Sequence, residues 1–80
     1  MYSTRVCGYC RLAEALLTRK GVPFEKILVD EDPARRKEMI QRTGRRTVPQ
    51  IFVGTMHVGG YIEIAELDRH GELDVLLAQP

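Results

Sequence analysis

The sequence predicts an α/β fold: a mixed four-stranded sheet flanked by helices, in the order β-α-β-α-β-β-α. Three observations predict it. Segments with apolar residues at helical spacing alternate with short, β-branched runs. Glycine and proline punctuate almost every joint between them. The chain has 80 residues, which allows one domain spanning 1–80. A strand-helix-strand unit requires two parallel strands and a right-handed crossover, while a Gly-x turn between two late strands adds an antiparallel hairpin.

Each element has its own warrant. Met1-Tyr2-Ser3-Thr4 has strand-like residues but is short. From about Gly8 to Lys20, Leu12, Ala13, Leu16 and Leu17 recur at helical spacing, and Gly21 and Pro23 stop the helix. Phe24 to Val29 reads as a buried strand. Asp32-Pro33 is an N-cap followed by proline at the first helical position. The helix it opens runs to about Thr43, with Met39 and Ile40 inward and Gly44 as its stop. Gln50 to Val53 and Met56 to Val58 are strands joined by Gly54-Thr55, a pair suited to a type II′ turn. Tyr61, Ile64 and Leu67 then mark a helix ending at Gly71, and Leu73, Leu76 and Leu77 a short final one. Tyr2, Phe24 and Phe52 are expected in the core.

Composition excludes several classes of function. The net charge is +1, with 44% hydrophobic and 29% charged residues, so there is no large basic field for nucleic acid. Arg35-Arg36-Lys37 and Arg42 through Arg46 form a basic side suited to a small anion. No apolar run approaches the ~20 residues of a membrane span, and no signal-peptide pattern opens the chain, so a cytoplasmic location is expected. His57 reads as structural, and His70 suits the cation-favouring end of a helix.

Cys7 and Cys10 are the two cysteines. A structural disulfide closing so short a loop removes little unfolded-state entropy, and a four-ligand zinc site needs more thiolates or imidazoles at paired spacing. In a chain with β/α punctuation, Cys-x-x-Cys reads as a redox pair. Cys7 falls where the first strand meets the first helix, and the unpaired N–H groups and dipole there favour a thiolate over a thiol. Cys10 lies one turn further in and is expected to be more buried. Cys7 therefore attacks a disulfide and Cys10 resolves the mixed disulfide that forms. Arg5 and Arg11 are near enough to add positive potential, although arginines near a helix start are more often merely solvated.

Cys7-Gly8-Tyr9-Cys10, Thr47-Val48-Pro49 and Gly59-Gly60, in this order and spacing, make the chain resemble a dithiol glutaredoxin. The likeness extends through Leu17 to Val22, Gly44 to Phe52 and Gly71 to Asp74. It implies a thioredoxin-like fold and glutathione-dependent reduction of protein disulfides and glutathione mixed disulfides by a monomer. Glutathione is then the electron donor and co-substrate, and disulfide-containing or glutathionylated proteins are the partners. The resemblance makes Pro49 a cis proline and assigns glutathione contacts to Tyr9, Arg36, Thr47, Val48, Pro49, Gly60, Tyr61 and Ile62. Arg36 matches a position that meets the glycine carboxylate, and the N–H groups of Tyr61 and Ile62 would hold the γ-glutamyl carboxylate.

The sequence also departs from the family pattern. Thr4 stands where lysine is usual, leaving Arg5 to compensate. Ile62 replaces a polar residue, so the γ-glutamyl end relies on backbone donors and Glu63. The first strand is about four residues shorter than in relatives, which would leave backbone groups of its neighbours unpaired, so either the natural start lies upstream of Met1 or the sheet is locally frayed there. Gly8 replaces the commoner proline, a change shared with members that bridge a [2Fe–2S] cluster through the first cysteine. Two further readings follow from these departures: a cluster-bridging carrier in which Cys7 is the metal ligand, and a redoxin reduced by thioredoxin reductase.

Overall fold

Asp32 and Gly44 bound the second long helix, α2 (Pro33–Thr43), as the sequence requires. Asp32 Oδ1 accepts from the N–H groups of Ala34 and Arg35 at 3.1 and 3.3 Å, and Gly44 closes the helix at φ 70°. Those two contacts satisfy donors that a helix start leaves unpaired. The computed structural model describes residues 1–78. Within them run β1 (Tyr2–Ser3), α1 (Gly8–Arg19), β2 (Ile27–Leu28), α2, β3 (Ile51–Val53), β4 (Met56–Gly59), α3 (Tyr61–Arg69) and α4 (Glu72–Ala78).

Strand β1 pairs in parallel with β2, in the register Tyr2↔Ile27 and Ser3↔Leu28. Strands β3 and β4 form the antiparallel hairpin. Gly54 takes φ 63° in its turn and, among the described residues, no non-glycine residue has a positive φ, which matches the expected type II′ geometry. The two pairs meet through an antiparallel bridge between Tyr2 and Gln50. The mixed sheet is therefore two hydrogen-bonded strand pairs joined at one point, rather than four continuous strands.

The core lies on both faces of these strands. Ala13 and Leu16 of α1, Ile64 of α3 and Leu73 of α4 pack with Ile51 on one side. Met39 of α2 packs with Tyr2 and Val29 on the other. Met39 is fully buried as expected, and Ile40 is partly buried beside it.

Three expectations need correction. Leu12 is 49% exposed, because the buried arc of α1 centres on Ala13 and its neighbour lies about 100° round the helix. Phe24 is exposed, and regular pairing of β2 covers Ile27–Leu28 rather than Phe24 to Val29. The ladder with β1 pairs Ile27 and Leu28 alone, so Phe24 lies outside it. The Met1 ammonium donates to the Glu25 carbonyl at 2.7 Å, and beyond that point lies a cavity of about 360 Å³ lined by Phe24, Phe52 and Val53. Phe52 is partly buried, whereas Tyr2 is in the core.

Ile64 has no exposed surface and touches three elements through its cluster. Ile64→Ala is expected to lower the unfolding free energy by about 2–5 kcal/mol in urea denaturation, with the fold retained.

Candidate functional site

The redox pair sits at the start of α1. Cys7 is itself the N-cap residue, in extended conformation at φ −156° and ψ 112°. Its Sγ accepts from the Cys10 N–H at 3.2 Å, the role that a serine or aspartate oxygen plays at an ordinary helix start. The Cys7 thiol also points at the Val48 carbonyl, 3.8 Å away. Gly8 begins the helix, and a Cβ added there would meet nothing within 4 Å. A Cβ is therefore sterically tolerated at this position.

The two sulfurs live in different surroundings. Cys7 is partly exposed, whereas Cys10 is 1% exposed. Burial pushes the Cys10 thiol pKa up, and contact with the Cys7 thiol pushes it further. Hydrogen bonds involving Ser3 and the Thr4 backbone act in the opposite direction. At neutral pH the inner sulfur is held as a thiol.

Beside the pair, the Val48–Pro49 peptide is cis, and Pro49 is buried. A groove of about 280 Å³ runs from this turn to the start of α3. It is lined by Tyr9, Thr47, Val48, Pro49, Gly60, Tyr61 and Ile62, among others. Seven residues singled out in the sequence thus come together in one concave surface. The Tyr9 and Tyr61 rings stack across it at 6.1 Å and 28°. Arg36 is not part of this lining; its Nη2 donates to the Arg46 carbonyl at 3.5 Å, at the base of the same loop.

Arg45, Gln50 and Glu63 also line the groove. Glu63 Oε1 accepts from the Gly60 N–H at 3.1 Å and from Arg45 Nη1 at 2.6 Å. Arg45 first, and then the Gly60 N–H, lowers the Glu63 pKa. A Cβ on Gly59, at φ 132°, would lie 2.7 Å from that same Glu63 oxygen. Glycine is required there by both the backbone and the carboxylate. The sequence offered Glu63 as a contact for the γ-glutamyl end; its place as third residue of α3, where an acidic side chain reaches back to the cap, is the signal for the role it takes here. Arg45 was visible only as one member of a basic run.

Arg5 behaves differently from expectation. Its Nε lies 3.5 Å from Asp30 Oδ2 and 3.2 Å from Glu31 Oε1, so its charge is engaged by the β2–α2 connection. Asp30 accepts from the Arg5 backbone N–H as well, and this contact leads the causes that lower the Asp30 pKa.

A sequence profile described as glutaredoxin matches residues 1–58, more than half of the chain. The chain belongs to the glutaredoxin family. This glutaredoxin is 48% identical over 77 residues to glutaredoxin 3 of Escherichia coli, covering 96% of this chain and 93% of that one. It is 46% identical over 78 residues to a glutaredoxin of Pseudomonas aeruginosa, covering 98% and 93% of the two chains. Among solved structures it matches the glutaredoxin of Brucella melitensis at a TM-score of 0.84 and 47% identity, covering 95% of this chain and 83% of the other. It also matches a buckwheat glutaredoxin in complex with glutathione at a TM-score of 0.87 and 34% identity, covering 95% and 72%. The thioredoxin-like fold expected from the sequence is the fold observed, and the chemistry is thiol–disulfide exchange.

Differential alkylation checks the asymmetry of the pair. Iodoacetamide at pH 7 is expected to modify Cys7 at least about tenfold faster than Cys10. A raised thiol pKa delays ionisation, so the labelling rate of Cys10 is expected to keep climbing past its ordinary value of 9.0 instead of levelling off there. Peptide mass mapping across a pH series reads both rates.

Proposed function

We propose that this glutaredoxin reduces glutathione mixed disulfides and protein disulfides with glutathione as electron donor. The observation that carries the reading is the position of Cys7: at the helix start, with its thiol against the carbonyl of Val48, a residue that lines the groove. An extended peptide laid along the Val48–Pro49 turn pairs with backbone there, as strand-like ligands do. The γ-glutamyl carboxylate then meets the N–H groups that open α3 after Gly60, where the helix start favours an anion. Tyr9 and Tyr61 flank the ligand. Arg36, tied to the Arg46 carbonyl, is assigned to the outer, glycine carboxylate. The 34%-identical buckwheat relative, solved with glutathione, supports the choice of ligand.

The chemistry follows from the two thiols. The Cys7 thiolate attacks the glutathionyl sulfur of a mixed disulfide, forming a Cys7–glutathione disulfide and releasing the protein thiolate, which takes up a proton. A second glutathione thiolate attacks that glutathionyl sulfur, expelling Cys7 as a thiolate and leaving oxidised glutathione. With a protein disulfide, Cys7 forms a mixed disulfide with the substrate. Cys10 loses its proton, attacks the Cys7 sulfur and expels the second substrate thiolate. Two glutathione molecules then re-reduce the Cys7–Cys10 disulfide. Burial of Cys10 beside Cys7 suits it to this intramolecular step, because resolution needs proximity more than exposure.

The dithiol reading is preferred to cluster bridging because Cys10 lies beside Cys7, placed to resolve its mixed disulfides. It is preferred to reduction by thioredoxin reductase because the groove has donors at one end and a strand-like edge at the other. The test is a deglutathionylation assay with glutathione as reductant. Cys7→Ser is expected to lose activity by at least about a thousandfold, since the nucleophile is gone. Cys10→Ser is expected to keep turnover of glutathione mixed disulfides while losing reduction of protein disulfides. Full activity in Cys7→Ser would overturn the assignment.

A further inference from the structure

Behind the Val48–Pro49 turn lies a chain of hydrogen bonds that the redox steps do not use. Gln50 is 1% exposed. Its Nε2 donates to the Thr47 carbonyl at 2.9 Å and lies 3.3 Å from Thr47 Oγ1, while its Oε1 meets His57 Nε2 at 2.8 Å. An amide that donates to a carbonyl has its orientation fixed, so the oxygen faces the imidazole. His57 must therefore donate through Nε2–H. Burial, with Arg45 next among the causes, lowers the His57 pKa, which suits the neutral Nε2–H tautomer. The ring is held by Phe52, 5.0 Å away centroid to centroid.

Gln50 also belongs to the sheet. Its backbone N–H donates to the Tyr2 carbonyl at 3.1 Å, and its carbonyl accepts from the Tyr2 N–H at 2.9 Å. The main chain of Gln50 is thus fixed to β1, while its side chain reaches back across the turn to Thr47. We infer that His57 is a positioning residue of the redox site, which acts through Gln50 to brace the Thr47 carbonyl and so set the Val48 backbone that faces Cys7. An uncovered buried amide is costly, so Gln50 takes whichever partners the fold offers. His57 on β4 supplies the partner that points its other end at the turn. The inference rests on the glutathione reading of the groove, since a braced Val48 backbone is what a strand-like ligand would pair with.

The test compares wild type with His57→Ala, Gln50→Glu and His57→Gln. Gln50→Glu keeps an acceptor for His57 but loses the donor to Thr47, and His57→Gln keeps an N–H donor in place of the imidazole. In steady-state reduction of a glutathionylated peptide, KM is expected to rise about five- to tenfold in His57→Ala, with kcat within about twofold, and to rise in Gln50→Glu as well. His57→Gln is expected to restore KM to within about twofold of wild type. Amide hydrogen exchange supplies a second readout, independent of glutathione. The Gln50 N–H is expected to exchange about tenfold faster in His57→Ala, while the Ile27 N–H, bonded to Met1 on the far side of β1, is unchanged. Unchanged KM and unchanged Gln50 exchange in His57→Ala and Gln50→Glu would overturn the brace. Equal acceleration at Gln50 and Ile27 would also overturn it, by showing general loosening. If wild type shows no saturable use of the glutathionylated peptide, the glutathione reading fails, and the exchange measurement still decides the brace.

Discussion

The backbone pairing of Tyr2 with Gln50 is the joint on which the site depends. Its two hydrogen bonds, 2.9 and 3.1 Å, connect the β1–β2 pair to the β3–β4 hairpin. From Tyr2 the chain runs five residues forward to Cys7, and from Gln50 it runs one residue back to Pro49. A single registered pair thus brings the thiol loop and the cis-proline turn together, and the Cys7–Val48 approach of 3.8 Å is its consequence. The joint is reinforced on both sides. The Tyr2 ring meets Phe52 edge-on at 6.0 Å, its hydroxyl accepts from Arg42 at 2.8 Å, and the Arg42 guanidinium lies 4.0 Å over Phe52. Such a stack adds modest energy but fixes orientation.

On that frame, the chemistry arises from a difference between two like residues. Cys7 caps a helix and is partly open to solvent, whereas Cys10 is enclosed one turn later. The same hydrogen bond, from the Cys10 N–H to Cys7 Sγ, satisfies an orphan donor and aims positive charge at the outer sulfur. One interaction serves both the helix and the redox site. At the other end of the groove, Glu63 occupies the Gly60 N–H and holds Arg45. The N–H groups beyond Gly60 are the ones assigned to an incoming carboxylate.

Much of this was legible in the sequence because the signals were local. Asp32 and Gly44 marked the two ends of α2, Gly54-Thr55 placed the hairpin turn, and the cysteine spacing placed the chemistry. The groove was legible through resemblance, since nothing in Val48-Pro49 alone indicates a cis bond. What failed depended on tertiary surroundings. Phe24 has the side chain of a core residue, but it lies outside the β1–β2 ladder and beside a cavity. Leu12 fitted an apolar stripe that the helix turns away from the sheet. Arg5 was near the thiols in sequence, yet Asp30 and Glu31 draw its guanidinium elsewhere. Gln50 and His57 were read as strand residues, because a brace between side chains seven positions apart leaves no periodic trace.

The account's central claim is that Cys7 carries the glutathionyl group during turnover. Intact-protein and peptide mass spectrometry of Cys10→Ser treated with oxidised glutathione tests it most directly. One glutathionyl adduct per chain, mapped to Cys7 and removed by reduced glutathione, is the predicted result. A chain that acquires no adduct while its Cys7 thiol remains free would contradict the claim.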